Sequence, residues 1–298
     1  MKITMIEAFP FDLRYKPTRD FLVSYGVIDA MRNAIVRVTT DDGVVGYGEL
    51  MPLPLDNRDA CIEDLKNVSR AVIGQDPYEI RELHARMDEQ LSAELPSQEL
   101  LLKGAIDSAL YDIMGRVAGL PVYKLLGGSY NDGVPMHFSI SIGSPEEMGA
   151  DTAARVAEGF RTLEVKLGRF QGELDLDTEI ARIAAIRESA GPDVVIVADP
   201  NIGWTVEEAI DVLPAMEEFG VYIEQPVKSL DDLEKVHRAI RSPLIADESA
   251  ANTRVLAEII QRDAADMINL KILRTGGLYE ACKMLDMCEA FDIGYRHD

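Results

Sequence analysis

Val195-Ile-Val-Ala-Asp199 is an apolar run that ends in a carboxylate, and the chain repeats the pattern along its second half. Leu163-Glu-Val-Lys166 comes before it. Val221-Tyr-Ile-Glu224, Leu244-Ile-Ala-Asp247 and Met267-Ile-Asn-Leu-Lys271 come after it, each followed by a helical stretch. Short strands alternating with helices predict right-handed crossovers and a parallel sheet. If such a sheet closes into a barrel, charged groups at the ends of different strands meet on one rim. Side chains alternate between the faces of a strand. Glu164 and Lys166 therefore share one face, while Leu163, Val165 and Leu167 take the other. In the last run, Met267, Asn269 and Lys271 lie together, opposite Ile268 and Leu270. The aliphatic sets suit the outer helices, so the charged sets are expected to face inward.

Working outward, Met136 to Ile142 reads as the first strand of this region. Ser144-Pro145 is an N-cap with proline at the first helical position, and Thr205-Val-Glu-Glu208 is a capping box. A seventh strand begins at about Ile293. Residues 131–298 are thus read as a barrel domain and 1–130 as a smaller α+β domain. In the latter, Met1 to Leu13, Ala34 to Thr40 and Val44 to Leu50 are strands, with Asp41-Asp42-Gly43 as hairpin turn. Asp59 to Ala118 is helical with breaks at Pro77 and Pro96.

The 298 residues are 47% hydrophobic, which allows one or two ordinary globular domains. A formal charge of −22 argues against nucleic acid and anionic membranes as partners. Three cysteines without metal-site spacing suggest free thiols in a reducing compartment. No secretory leader or apolar run of about 20 residues is seen, so a cytoplasmic protein is expected.

Asp199, Glu224 and Asp247 at one point would repel each other unless a cation neutralised them. An all-oxygen set suits Mg²⁺, with Mn²⁺ as the alternative, better than Zn²⁺. The competing reading is that each acid caps a helix or pairs with an arginine. Lys166 and Lys271 would flank the metal, where burial and like charge lower a lysine's pKa and make it a usable base. Their competing reading is a salt bridge to a nearby carboxylate. Arg274-Thr-Gly-Gly277 reads as a tight turn or an anion-binding loop. His137 reads as a core or rim residue, and Trp204 as packing under a helix.

With these residues in view, the chain resembles the enolase superfamily in its mandelate racemase and muconate lactonizing enzyme branch. Ala105-Ile-Asp-Ser-Ala-Leu-Tyr-Asp112 and Pro121-Val-Tyr-Lys-Leu-Leu-Gly-Gly128 are similar to that family's passage from cap to barrel. Asp199-Pro-Asn201, Ile223-Glu-Gln-Pro226, Ala246-Asp-Glu248 and Leu270-Lys-Ile272 with Gly276-Gly277 follow its strand motifs in order. The resemblance implies an α/β fold: an N-terminal α+β capping domain over a modified (β/α)7β TIM-like barrel. It implies Mg²⁺ on Asp199, Glu224 and Asp247, and acid–base chemistry at Lys166 and Lys271. Glu164, Asn201, Glu248 and Asn269 would support these groups or meet substrate. Lys16, Arg19 and Tyr25 would contact substrate from the cap loops. The implied first step is removal of a proton α to a carboxylate, with the enediolate stabilised by the metal; this superfamily is itself a standard example of that pairing.

Two departures from the family pattern stand out. Its lysine branch usually has Lys-x-Lys on the second barrel strand, whereas the first position here is Glu164. The sequence also stops at Asp298, so the barrel is expected to be open, truncated after strand six or at the start of strand seven. Racemisation, epimerisation or cycloisomerisation of a small carboxylate (an amino acid, dipeptide or similar) is the expected outcome, in a homo-oligomer. A dehydratase using His297 shares the same first step. A Schiff-base aldolase is disfavoured by the acid cluster, and a non-catalytic remnant is the reading from another class.

Overall fold

The computed structural model describes residues 1–14, 21–52, 57–90, 96–129, 133–169 and 174–297. The chain opens with β1 (Ile3–Arg14), a small hairpin of β2 (Phe21–Val23) and β3 (Gly26–Ile28), then β4 (Ala30–Thr40) and β5 (Val45–Leu50). Helices α1 (Arg58–Val72), α2 (Ile80–Gln90), α3 (Pro96–Ala118) and the short α4 (Val122–Leu125) follow. The expected helical region holds three helices among the described residues, with Pro77 between the first two and Pro96 at the start of the third. Among the described residues, β1, β4 and β5 form an antiparallel sheet in the order β1-β4-β5. Period-two burial on β4 sends Ala34, Val36 and Val38 into a core shared with Leu65, Leu83, Leu101 and Ile106 of the helices. Gly46 and Gly48 on β5 let α3 lie directly on the strand. A Cβ at either position would fall closer than 3.0 Å to an α3 carbonyl oxygen, Ala109 or Ala105 respectively.

The second half alternates strand and helix: β6 (Phe138–Ile140), α5 (Pro145–Ala157), β7 (Thr162–Lys166), α6 (Leu176–Ala190), β8 (Val195–Asp199), α7 (Val206–Met216) and β9 (Tyr222–Glu224). It continues with α8 (Leu230–His237), β10 (Leu244–Ala246), α9 (Thr253–Arg262), β11 (Met267–Leu270), α10 (Leu278–Phe291) and β12 (Gly294–His297). The strands β6 to β12 form a parallel sheet in chain order, with β6 and β12 at its edges among the described residues. Local signals set the helix starts. Ser144 with Glu147 and Thr205 with Glu208 each form a reciprocal capping box.

The sheet is strongly curled, as one contact demonstrates. Arg296 on β12 donates to Glu164 on β7 at 2.7 Å, although five inter-strand steps separate them. In a flat sheet, five steps of about 4.8 Å would put those strands roughly 24 Å apart. The outer face carries Leu163, Val165, Ile196, Ile223 and Ile268 into one apolar core with Ile183, Ile186, Val212 and Leu256 of the helices. Each such aliphatic burial contributes roughly 1.5–3 kcal/mol. Trp204 belongs to this core. Two apolar cores form, one built mainly from the first half of the chain and one from the second.

Candidate active site

The inner face of the curled sheet gathers the charged residues. Glu164, Lys166, Asp199, Glu224, Asp247 and Asn269 are all buried, Glu224 completely. The strand order β7-β8-β9-β10-β11 sets Lys166 and Lys271 on either side of Asp199, Glu224 and Asp247. The ends of β10 and β11 fall one residue before Asp247 and Lys271, so both side chains leave from the rim itself.

Each of the three acids is matched with a base. Lys166 Nζ donates to Asp199 Oδ2 at 2.5 Å and also pairs with Glu164. Lys271 Nζ donates to Asp247 Oδ2 at 2.8 Å. Arg296 Nη1 donates to Glu224 Oε2 at 2.6 Å, while its Nη2 holds Glu164. Arg274 Nη1 lies 3.0 Å from Asp247 Oδ1 as an ion pair, without hydrogen-bond alignment. The salt bridges weighed for both lysines are therefore present. Among the described residues, no three His, Cys, Asp or Glu side chains stand close enough together to hold a metal ion.

Burial and neighbouring charge set the titration of this cluster. Burial disfavours the charged form of Lys166, but the attraction of Asp199, Glu164 and Glu224 outweighs it and holds the ammonium well above the ordinary lysine range. This differs from the lowered lysine expected beside a cation, because three carboxylates surround the group. Burial raises Glu224 well above the usual carboxylate range, and repulsion from Asp199, Glu164 and Asp247 adds to it. Burial raises Asp199 as well, against the pull of Lys166. Glu248 is pushed up to about 7 by burial and then by Asp247, with Arg274 opposing.

Surrounding contacts fix these groups. Asp199 Oδ1 accepts the Asn201 backbone N–H at 2.7 Å, and Asp199 Oδ2 accepts from Asn201 Nδ2 at 2.8 Å. Asn201 holds a positive φ of 47° to do so. Asn269 Nδ2 donates to Glu224 Oε1 at 2.6 Å. The Gln225 side chain, fully buried, accepts the backbone N–H groups of Asp247 and Ser249 and donates to Val227 O and Ser249 Oγ. It ties the end of β9 to the turn that carries Asp247.

The β2–β3 hairpin reaches this rim from the first half of the chain. Leu22 N–H donates to Ser141 Oγ, Ile142 N–H to Leu22 O, and Ser24 Oγ to Asn201 O. Tyr25 at its tip is exposed, yet its phenol lies within electrostatic reach of Lys166, Arg274, Glu248 and Asp199. Lys16 and Arg19 lie outside the described residues. His297 lies on the exposed face of β12 with Tyr295, opposite Arg296, so it does not point into the site. His137 sits at the rim, 3.5 Å from Glu164.

Sequence reading named the lysines and the carboxylates but left Gln225, Arg274 and Arg296 without a role in this cluster. Gln225 stood in the Ile223-Glu-Gln-Pro226 motif. For Arg296 the available signal was period-two alternation on a four-residue strand.

Residues 147–297 match the family model described as enolase C-terminal domain-like, and residues 5–127 match the N-terminal domain of mandelate racemase and muconate lactonizing enzyme. The chain belongs to this family. It is 33% identical over 299 residues to a hydrophobic dipeptide epimerase of Enterococcus faecalis, spanning 98% of this chain and 81% of that protein. It is 33% identical over 304 residues to an N-succinyl-L-Arg/Lys racemase of Bacillus cereus, spanning 98% and 78%. A solved dipeptide epimerase of Cytophaga hutchinsonii, complexed with Mg and D-Ala-L-Val, superimposes with a TM-score of 0.90 at 29% identity, covering 100% of this chain and 79% of that one. The chain is an enzyme of the isomerase class, in the company of epimerases, racemases and a cycloisomerase. No helix among the described residues is long and apolar enough to cross a membrane.

Proposed function

We propose that this enzyme is a Mg²⁺-dependent epimerase or racemase that removes and returns the proton α to the carboxylate of a dipeptide or N-acylated amino acid. The observation that carries the reading is the placement of two lysines, Lys166 and Lys271, on opposite sides of Asp199, Glu224 and Asp247. A substrate held over the three acids would present one face of its α-carbon to each lysine. One lysine takes the proton and the other, as an ammonium, returns one to the opposite face. Lys166, held protonated by its carboxylates, starts as the acid; it serves as base only once Asp199 and Glu164 are neutralised by something else.

The donor chemistry suits Mg²⁺, although the basic side chains now paired with the three acids would have to yield before the carboxylates could close on an ion. Asp199, Glu224 and Asp247 are hard oxygen donors on successive strand ends, buried and in need of positive charge. Beside them the buried Oδ1 of Asn201 accepts no hydrogen bond. Bound there, Mg²⁺ would supply Coulombic stabilisation of charge developing on the substrate carboxylate. Counted as ionised, Glu164, Asp199, Glu224, Asp247 and Glu248 face Lys166, Lys271, Arg274 and Arg296. A divalent cation would turn this inner face from one net negative charge to one net positive, which suits a substrate with a single carboxylate. The family relation to a dipeptide epimerase and an N-succinylamino acid racemase supports the same substrate class. A dehydratase that relied on His297 is disfavoured, because His297 faces outward, while a dehydratase sharing the same first step stays the second reading, with a cis-3-hydroxy-L-proline dehydratase among the relatives.

The test is deuterium incorporation at the α-carbon in D₂O with Mg²⁺, measured separately from each epimer of a dipeptide or N-succinylamino acid panel. Lys166→Met and Lys271→Met should each retain exchange from one epimer and lose it from the other. Full epimerisation by either variant would remove that lysine from the mechanism.

A further inference from the structure

The turn that carries Lys271 is held from outside the barrel. Asp107 of α3 is completely buried and has both carboxylate oxygens engaged. Its Oδ2 accepts the backbone N–H of Leu278, the first residue of α10, at 2.6 Å. Its Oδ1 lies 2.7 Å from Nε2 of His84 on α2. The residue at the N-cap of α10 is Gly277, which has no side chain to cap with. Asp107 therefore supplies, from another part of the chain, the acceptor and negative charge that a helix N-terminus favours. Of the two readings of Arg274-Thr-Gly-Gly277, the tight turn is the one present, and the N–H just beyond it is taken by a carboxylate of the protein itself.

The contact is closely fitted. Gly277 has a φ of 112°, and a Cβ there would fall onto the Asp107 carboxylate. A Cβ on Gly104, one helical turn before Asp107, would stand 3.0 Å from the Leu273 carbonyl oxygen. The His84 ring packs on Tyr279, centroids 4.8 Å apart. Helices α2 and α3 thus grip both ends of the segment from Leu273 to Tyr279. Within it, Gly277 N–H donates to Ile272 O at 2.9 Å, and Thr275 N–H to Lys271 O at 3.0 Å. The path from Asp107 to the backbone of Lys271 is continuous and short. Lys166 stands on β7, whose sheet partners are β6 and β8, across the acid cluster from this turn.

We propose that Asp107 is a positioning residue for Lys271: docking of α3 on the β11–α10 turn sets the aim of one of the two acid–base lysines and leaves the other alone. The inference rests on the reading of Lys166 and Lys271 as opposed acid–base groups. Its signature is asymmetry between substrate epimers, which general damage to the fold does not produce.

Three variants test it. Asp107→Ala removes the acceptor, Asp107→Asn keeps an acceptor oxygen without the charge, and Gly277→Ala drives a methyl into the same contact. Two measurements are made on each. Backbone hydrogen exchange should accelerate at residues 272–278 in Asp107→Ala and Gly277→Ala, by about tenfold for a lost charged cap, with β7 unchanged. Deuterium incorporation should slow by roughly the same factor for the epimer whose proton Lys271 takes, as identified with Lys271→Met, and stay near wild type for the epimer served by Lys166. Asp107→Asn should recover part of both effects. Unchanged exchange at 272–278 overturns the proposal, as does equal slowing of both epimers. If the wild type exchanges no α-proton at all, the acid–base reading fails, and the backbone measurement alone then decides whether Asp107 holds the turn.

Discussion

Replacing Arg296 by methionine tests the electrostatics of the site most directly. The guanidinium bridges Glu224 at 2.6 Å and Glu164 at 2.7 Å, with its own side chain only 13% exposed and the two acids at 0% and 3%. Methionine keeps much of the stem's packing and removes the charge. Taking away one partner of a buried ion pair costs about 3 kcal/mol or more, because the remaining charge stays buried. For chains of a few hundred residues, about 2–4 °C per kcal/mol turns this into a fall in Tm of roughly 6–12 °C. Mg²⁺ should recover part of the loss, since a cation at Glu224 replaces the missing charge and ligand binding stabilises the native state. The rise in Tm on adding Mg²⁺ should be larger in Arg296→Met than in the wild type, where Arg296 competes for Glu224. The assay is thermal melting with and without Mg²⁺ at fixed ionic strength, so that general screening is held constant. Arg241→Met is the control: Arg241 pairs with Glu217 at 2.9 Å but is 90% exposed, and such surface pairs contribute about 0–1 kcal/mol. If Arg296→Met melts with the wild type in the absence of Mg²⁺, the charge argument for this cluster is wrong.

Two further perturbations reach the fold around the site. Gly48→Ala places a methyl against the Ala105 carbonyl oxygen and must push α3 off β5; a loss of about 1–3 kcal/mol or more should appear as a lower Tm, and an unchanged melt would refute the close approach. Glu179, with its side chain 2% exposed, accepts the Gly168 N–H at 3.1 Å just beyond Lys166, and burial pushes its carboxyl from 4.5 up to about 7. Because the folded value lies above the unfolded one, its contribution is complete below about 4.5 and is lost as pH rises through about 7, at most about 3 kcal/mol. The difference in Tm between wild type and Glu179→Gln should therefore shift in favour of the variant from pH 5 to pH 8, and a constant difference would contradict the shift.

Much of this was legible in the residues alone. Leu163-Glu-Val-Lys166 and its four companions specify a buried strand with an aliphatic outer face and a charged end, because alternation and length are local properties. Ser144 and Thr205 announce helix starts for the same reason: the cap and the group it satisfies lie three residues apart. The types and order of Lys166, Asp199, Glu224, Asp247 and Lys271 were likewise enough to suggest opposed bases around a cation site. Who pairs with whom was not. Arg296 meets Glu164 across 132 residues and Asp107 caps α10 across 171, and neither partner is marked by anything near it in the chain. The curl of the sheet brings β12 over β7, and the seat of α3 on the β11–α10 turn brings Asp107 to Leu278. Sequence determined which side chains face inward, since that depends on neighbours one or two residues away. Tertiary structure decided which charges compensate each other, since Coulombic and hydrogen-bond energies depend on distances in space that only the closed packing of both halves defines.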